Sequence, residues 1–280
     1  MKKIAAITMA RNDEWFLNRW IAYYGRELGE ENLYVYLDGT DQKAPGGAGR
    51  ANVLAIPKLA HSRLRNDRAR ADYVSDRAAE LFGRGYEIVI AADSDEFIAA
   101  DPETGFGLAA YLSRMKIDGA ASALGLDVAH NLAREKPFDD AKPFLAQRRF
   151  ALIHSRMTKA SIINRPLRWG SGWHRVRGKN FRIDPNLYLF HMGNADYGAV
   201  MAKLQSPDLL KGNWQNHYIR NRLRVIRVVS NARIRGFEAA VKAARLIQTI
   251  FRPLPAWNKP AMLGLNWVVE IPERFKKTGL

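Results

Sequence analysis

Tyr86-Glu87-Ile88-Val89-Ile90-Ala91-Ala92-Asp93-Ser94-Asp95-Glu96-Phe97 is a short β-branched apolar run that ends abruptly in three carboxylates. The run is too short for a helix, follows Gly85 and stops at acids, so it reads as a buried strand of a largely parallel sheet. In open α/β sheets ligands bind just beyond the carboxyl ends of the strands, which places Asp93, Asp95 and Glu96 where chemistry is expected. Carboxylates two apart on an extended segment point the same way, and Mg²⁺ or Mn²⁺ takes oxygen ligands of this kind, completed by substrate phosphates. The competing reading is an acidic turn that solvates a strand end.

Around this stretch the composition sets bounds. A chain of 280 residues, 47% hydrophobic and 10% aromatic, can bury a sizeable core, as one large domain or a domain with an appendage. The absence of cysteine rules out disulfides and thiolate chemistry, leaving histidine and carboxylate for any metal work. Lys+Arg outnumber Asp+Glu by 44 to 28, a net charge of +16, so the surface attracts anions: nucleotides, nucleic acid or anionic headgroups. Met1 to Ala10 runs straight into Arg11-Asn12-Asp13-Glu14 and reads as a first strand, not a signal peptide. With no stretch approaching a membrane span, a cytoplasmic protein, soluble or peripheral at the inner face of the membrane, is expected.

Upstream, Asn12 is expected to cap a helix with Asp13 and Glu14 in its first turn, and Trp15, Phe16, Trp20, Ile21, Tyr24 and Leu28 recur at helical spacing toward a core. Leu33 to Leu37 and Val53 to Ile56 read as strands, the first ending at Asp38-Gly39-Thr40-Asp41. Arg63, Arg65, Arg68 and Arg70 open a helix running to about Phe82, either holding a diphosphate or forming a solvated basic face. Downstream, Leu108 to Met115 reads as a helix and Gly119 to Leu126 as a strand ending at Asp127. Glu135 to Pro143 is a charged loop, over an acceptor site or a plain surface excursion. Trp169 to Arg175 is an aromatic lid with glycine hinges or a glycine turn with core tryptophans. From about Ala195 the pattern is helical, basic and amphipathic through Trp214 to Val229 and Phe237 to Phe251, covering the sheet or resting on anionic lipid.

Ala10 to Glu14, Tyr34 to Asp41 and Ala92 to Phe97, taken in order with Arg149-Phe150, Lys159 to Pro166 and Leu189-Phe190-His191, resemble GT-A glycosyltransferases of the family 2 type, nearest to bacterial members with an Asp-x-Asp-Glu-Phe motif. Where that family carries paired aspartates at the second strand, this chain has Leu37 before a single Asp38. The resemblance implies an α/β, GT-A, Rossmann-like and mostly parallel sheet flanked by helices over residues 1–194. A basic helical extension, residues 195–280, would pack on it. It further implies a glycosyltransferase acting in surface polysaccharide or glycan synthesis, moving a sugar with inversion from a nucleotide diphosphate donor to a glycan or other hydroxyl acceptor. Asp95 and Asp93 would bind Mn²⁺ or Mg²⁺ with His191 as third ligand, Asp93 also serving the donor ribose. Arg11, Asp38 and one or more of Arg63, Arg65 and Arg68 would contact the nucleotide. Asp127, ending the next strand at the same edge, is the expected base, with Glu96 second. The alternative from another class is a basic nucleic-acid-binding protein without catalysis.

Overall fold

In the computed structural model, residues 1–59, 63–205, 219–253, 258–261 and 263–280 are described, and the side chains of 63–65, 219 and 220 also lie outside that set. Ile4–Ala10 (β1), Leu33–Asp38 (β2) and Ile88–Ala91 (β4) are buried at every position, the reason these strands lack a polar face. With Asn52–Ile56 (β3) they form a parallel block in the order β3-β2-β1-β4. Glu14–Leu28 (α1) joins β1 to β2, and Arg63–Gly83 (α2) joins β3 to β4. The chain steps outward from β1 to β3 and then back past β1, so right-handed crossovers put α1 and α2 on opposite faces. The reversal lies between β1 and β4, the point at which such sheets open a crevice at their carboxyl edge.

The chain then departs from simple βα alternation. Glu96–Ala100 (β5) follows β4 after a tight turn in which Glu96 N–H donates to the Asp93 carbonyl at 3.0 Å. Leu108–Arg114 (α3) leads to the long, wholly buried strand Ala120–Ala129 (β6). Short Phe144–Gln147 (α4) precedes Phe150–Ile153 (β7), and Ile162–Ile163 (β8) lies between β4 and β6, antiparallel to both. Arg182–Asn194 (β9) runs parallel to β6 and antiparallel to β5. Gly125 in β6 is required by packing, because a Cβ there would run into the backbone of Met157 and Thr158.

The expected helical extension is helical in Tyr197–Leu204 (α5), Arg224–Asn231 (α6) and Phe237–Ile250 (α7). It differs from expectation in also supplying Ile234–Arg235 (β10) and Val268–Glu270 (β11), which extend the sheet through β7. Val268-Val269 is a β-branched pair long enough to join an edge and too short to signal a strand by periodicity. Among the described strands, eight of eleven point the same way, with β5, β7 and β8 reversed. The fold is α/β, a mixed sheet of mostly parallel strands flanked by helices.

Candidate active site

Three strands set a row of side chains across the sheet. Glu96 on β5 stands opposite His191 on β9, and His191 stands opposite Asp127 on β6. Cross-strand partners project from the same face, so residues distant in sequence become direct neighbours. The turn after β4 adds Asp93 and Asp95, and the start of α1 adds Asp13.

The turn separates the two aspartates that an extended segment would have kept parallel. Asp93 faces Lys159 Nζ at 3.0 Å, Arg70 Nη2 at 3.3 Å and the Trp173 indole N–H at 3.3 Å. Asp95 faces His191 Nε2 at 3.1 Å and Arg222 Nη2 at 3.2 Å. Burial raises the carboxyl pKa in both, but Lys159 and Arg70 at Asp93, and His191 and Arg222 at Asp95, outweigh it and hold both below the ordinary range. Arg222 lies against Gly193, where any Cβ would overlap its guanidinium.

Glu96 is 1% exposed and pairs with Lys159, whose Nζ lies 2.5 Å from Oε1. Burial pushes Glu96 up to about 7 despite the lysine, and Asp93 and Asp95 add to the rise. Lys159 is raised because Asp93 and Glu96 overcome its desolvation. At that separation the contact is an ion pair, and Glu96 is not open to an acceptor hydroxyl.

Asp127 also departs from expectation. It is 2% exposed, accepts from His191 Nδ1 and Asn194 Nδ2 on one oxygen, both at 2.7 Å, and has His154 Nδ1 at 3.1 Å from the other. A carboxylate so enclosed cannot reach an acceptor. It holds His191 instead. Burial alone would lower the imidazole pKa, but Asp95 and Asp127 on either side raise it to about 10. His191 therefore has both nitrogens engaged, Nδ1 by Asp127 and Nε2 by Asp95 and by Arg222 Nη1 at 3.1 Å, and the two carboxylates favour its protonated form.

The nucleotide contacts are redistributed in the same way. Asp38 is buried and accepts from Leu59 N–H at 2.9 Å and Asn66 Nδ2 at 3.3 Å, so its carboxylate secures the loop after β3. Arg11 donates to the Asp38 carbonyl at 2.7 Å and grips Asp41 with both terminal nitrogens. The side chains of Arg63 and Arg65 lie outside the described residues, and Arg68 is exposed. The arginine of this segment that reaches the acidic turn is Arg70, seven residues into α2, where two helical turns bring it back over the end of β1 and its Nη2 to the Met9 carbonyl. Trp169 and Trp173 are core residues, 0% and 2% exposed, which decides against the lid. The Glu135–Pro143 loop packs on α1, with Asp140 accepting from Trp15 Nε1 at 2.9 Å and Arg19 Nη2 at 3.0 Å.

Sequence reasoning gave Asp13, Lys159 and Arg222 no role in the site, and named Arg70 only as one of four arginines opening the helix. Asp13, not Asn12, is the cap position of α1, and its side chain makes no capping bond; it accepts from Ser94 Oγ at 2.5 Å, tying the helix start to the middle of the acidic turn. Its other oxygen has no partner among the described residues, and the residue borders a cavity with Trp15, Phe16, Asp95, Asp196 and Arg222. Burial raises its pKa against the lowering pull of the Ser94 hydroxyl. Lys159 lay within a recognisable segment, but only β8 delivers it beneath the turn.

Among the described residues no three His, Asp or Glu side chains are grouped to cage a metal ion. A full cage is not needed for Mg²⁺ or Mn²⁺, which are held through one or two carboxylates and substrate phosphates. Asp95 fits that role, since it borders the cavity and its second oxygen has no partner among the described residues.

No protein-family model matches the sequence, and no curated protein does so at a significant level. Among solved structures, a protein described as a nucleotide-diphospho-sugar transferase from Desulfovibrio desulfuricans is 12% identical over 45% of this chain and 59% of its own, with a TM-score of 0.27. Mannose-1-phosphate geranyltransferase from Thermus thermophilus is 14% identical over 86% of this chain and 68% of its own, at 0.31. A CMP:2-keto-3-deoxy-manno-octonic acid synthetase complexed with CTP is 10% identical over 80% and 87%, at 0.27.

Proposed function

We propose that this chain is a metal-assisted glycosyltransferase that moves a sugar from a nucleotide diphosphate donor to a hydroxyl acceptor. The observation that carries the reading is the convergence of Asp93, Asp95, Arg70, Lys159 and Arg222 at the carboxyl edge beside the β1/β4 reversal. Arginines recognise phosphate oxygens through paired N–H donors, and Arg70 and Arg222 flank the turn on which a diphosphate would sit.

Charge counting supports the metal. Asp93, Asp95, Glu96 and Asp127 each lie against a partner among Arg70, Lys159, Arg222 and His191. A bound diphosphate adds negative charge that this paired set does not offset. A divalent cation held by Asp95, with Asp93 beside it, would supply the missing charge on the leaving group. The chain's own residues do the rest: Arg222 and Arg70 orient the diphosphate, Lys159 fixes the turn, and Asp127 fixes His191 against Asp95. Asp13, facing the cavity with a raised pKa, takes the proton from the attacking hydroxyl. Trp15 and Phe16 offer apolar faces on which a sugar ring can pack. A single displacement of this kind inverts the anomeric centre.

The test is calorimetry with UDP, GDP and their sugars, with and without Mn²⁺, on the wild type and Asp95→Asn. Expected is one saturable site whose affinity rises with Mn²⁺ in the wild type and not in the variant. Failure of every diphosphate to bind, together with salt-sensitive affinity for RNA or DNA, would replace this reading with the nucleic-acid one.

A further inference from the structure

We propose that the outward face of α7, with the basic segment leading into it, docks on an anionic lipid bilayer. The helix is two-faced. Phe237, Ala240, Val241 and Ala244 are buried against the sheet, whereas Ala239, Ala243, Leu246 and Ile250 recur at a spacing that lines them along the opposite side. Leu246 and Ile250 are 61% and 58% exposed, and Phe251, just past the helix, is 59% exposed. Among the described residues large apolar side chains so open to water are few, and three of them fall within six consecutive residues. The stripe spans about 16 Å at 1.5 Å per residue.

Charge identifies what covers this face. Residues 195–280 carry 15 Lys+Arg against 5 Asp+Glu, a net +10 of the chain's +16 in less than a third of its length. Arg233, Arg235 and Lys242 are exposed beside the stripe, and the Arg235 guanidinium lies 4.7 Å from the centre of the half-buried Trp267 ring. Ala239, Ala240 and Ala243 floor a groove walled by Trp267 and rimmed by Arg233 and Arg235. A second copy would bring two strongly basic surfaces together, and a nucleic acid would use the arginines while leaving the apolar stripe in water. An anionic bilayer satisfies both: headgroups meet the arginines, the acyl boundary takes up Leu246, Ile250 and Phe251, and tryptophan suits the level between. No described helix is long and apolar enough to cross a membrane, so the contact is one of lying on the surface.

The experiment is co-sedimentation of the full chain with vesicles of phosphatidylcholine alone or mixed with phosphatidylglycerol, in low and high salt. Expected is binding to the anionic vesicles only, falling about tenfold or more in high salt. Leu246→Ser/Ile250→Ser keeps the charge and removes the stripe, and should weaken binding about tenfold. Arg233→Gln/Arg235→Gln should do the same, with circular dichroism unchanged because these side chains are exposed or at the surface. The proposal is overturned by absent binding to anionic vesicles, by equal binding to neutral ones, or by full binding of the serine variant. A dimer in light scattering that the serine variant disperses would instead assign the face to a second copy.

Discussion

Lys159→Met removes the single ammonium that lies beneath the acidic turn. Its Nζ serves Asp93 Oδ2 at 3.0 Å and Glu96 Oε1 at 2.5 Å, and the side chain is 5% exposed. Methionine fills similar space, so the loss is one of charge. Asp93, with 31% of its side chain exposed, can turn to water and Arg70; Glu96 cannot. Removing one partner of a buried pair costs roughly 3–5 kcal/mol. With an unfolding entropy of about 2.1 cal/mol/K per residue, a chain of 280 residues loses about 5–9 °C in Tm. The cost has a definite pH dependence. Glu96 is already pushed up to about 7 by burial, with the lysine pulling the other way; without the lysine it rises further. A carboxyl raised above its unfolded value binds a proton more readily in the native state, so the variant regains stability as pH falls through that raised pKa. Thermal melts followed by circular dichroism should show a smaller loss at pH 5 than at pH 9, with Lys159→Met/Glu96→Gln recovering most of the deficit. A loss below about 2 °C, or one equal at both pH values, would refute the assignment of Glu96 and Lys159 as a buried ion pair.

His191 titrates in the opposite sense. Its pKa is raised to about 10, so its contribution is fully present below about 6.5 and lost as pH rises through 10, amounting to no more than about 5 kcal/mol; His191→Gln should flatten stability over that window, and an unchanged pH profile would sink the imidazolium reading. Gly193→Ala places a methyl group where the Arg222 guanidinium lies and 2.5 Å from Asp95 Oδ2, so the pair should be forced apart and diphosphate affinity should drop about tenfold. Unaltered affinity would remove Arg222 from the donor site. Asp13→Asn should leave diphosphate binding within about twofold while donor hydrolysis falls by about two to four orders of magnitude. In the wild type the rate should decline as pH falls through the raised Asp13 pKa, because the base must be ionised, and hydrolysis at the wild-type rate in the variant would return the role to another carboxylate.

The roles at this edge follow from how charge is shared, and no residue there acts alone. Asp127, Glu96 and Lys159 are the buried supports; Asp93, Asp95, Asp13, Arg70 and Arg222 border open space or bind the groups that do. Burying the first set keeps the second in place.

The sequence by itself determined the strands of the parallel block and the location of the acidic turn. Uninterrupted apolar runs such as Ile4–Ala10 and Ile88–Ala91 have one stable environment, a sheet covered on both faces, and a carboxylate ending such a run must emerge at its edge. The helices α1 and α7 were legible because apolar residues at helical spacing mark one buried face. What only the tertiary structure decided is which of the exposed-looking polar residues are buried. Asp127 and His191 are 64 residues apart, and Lys159 and Asp93 are 66 apart; β9 and β8 bring them together through pairings that no local pattern encodes. The tight turn at Asp93 was equally hidden, because β5 exists only through pairing with β9, and that turn sends Asp93 to Lys159 and Asp95 to His191. A carboxylate's role depends on its accessibility and nearest cation, and both are properties of contacts between strands, not of the segment that carries it.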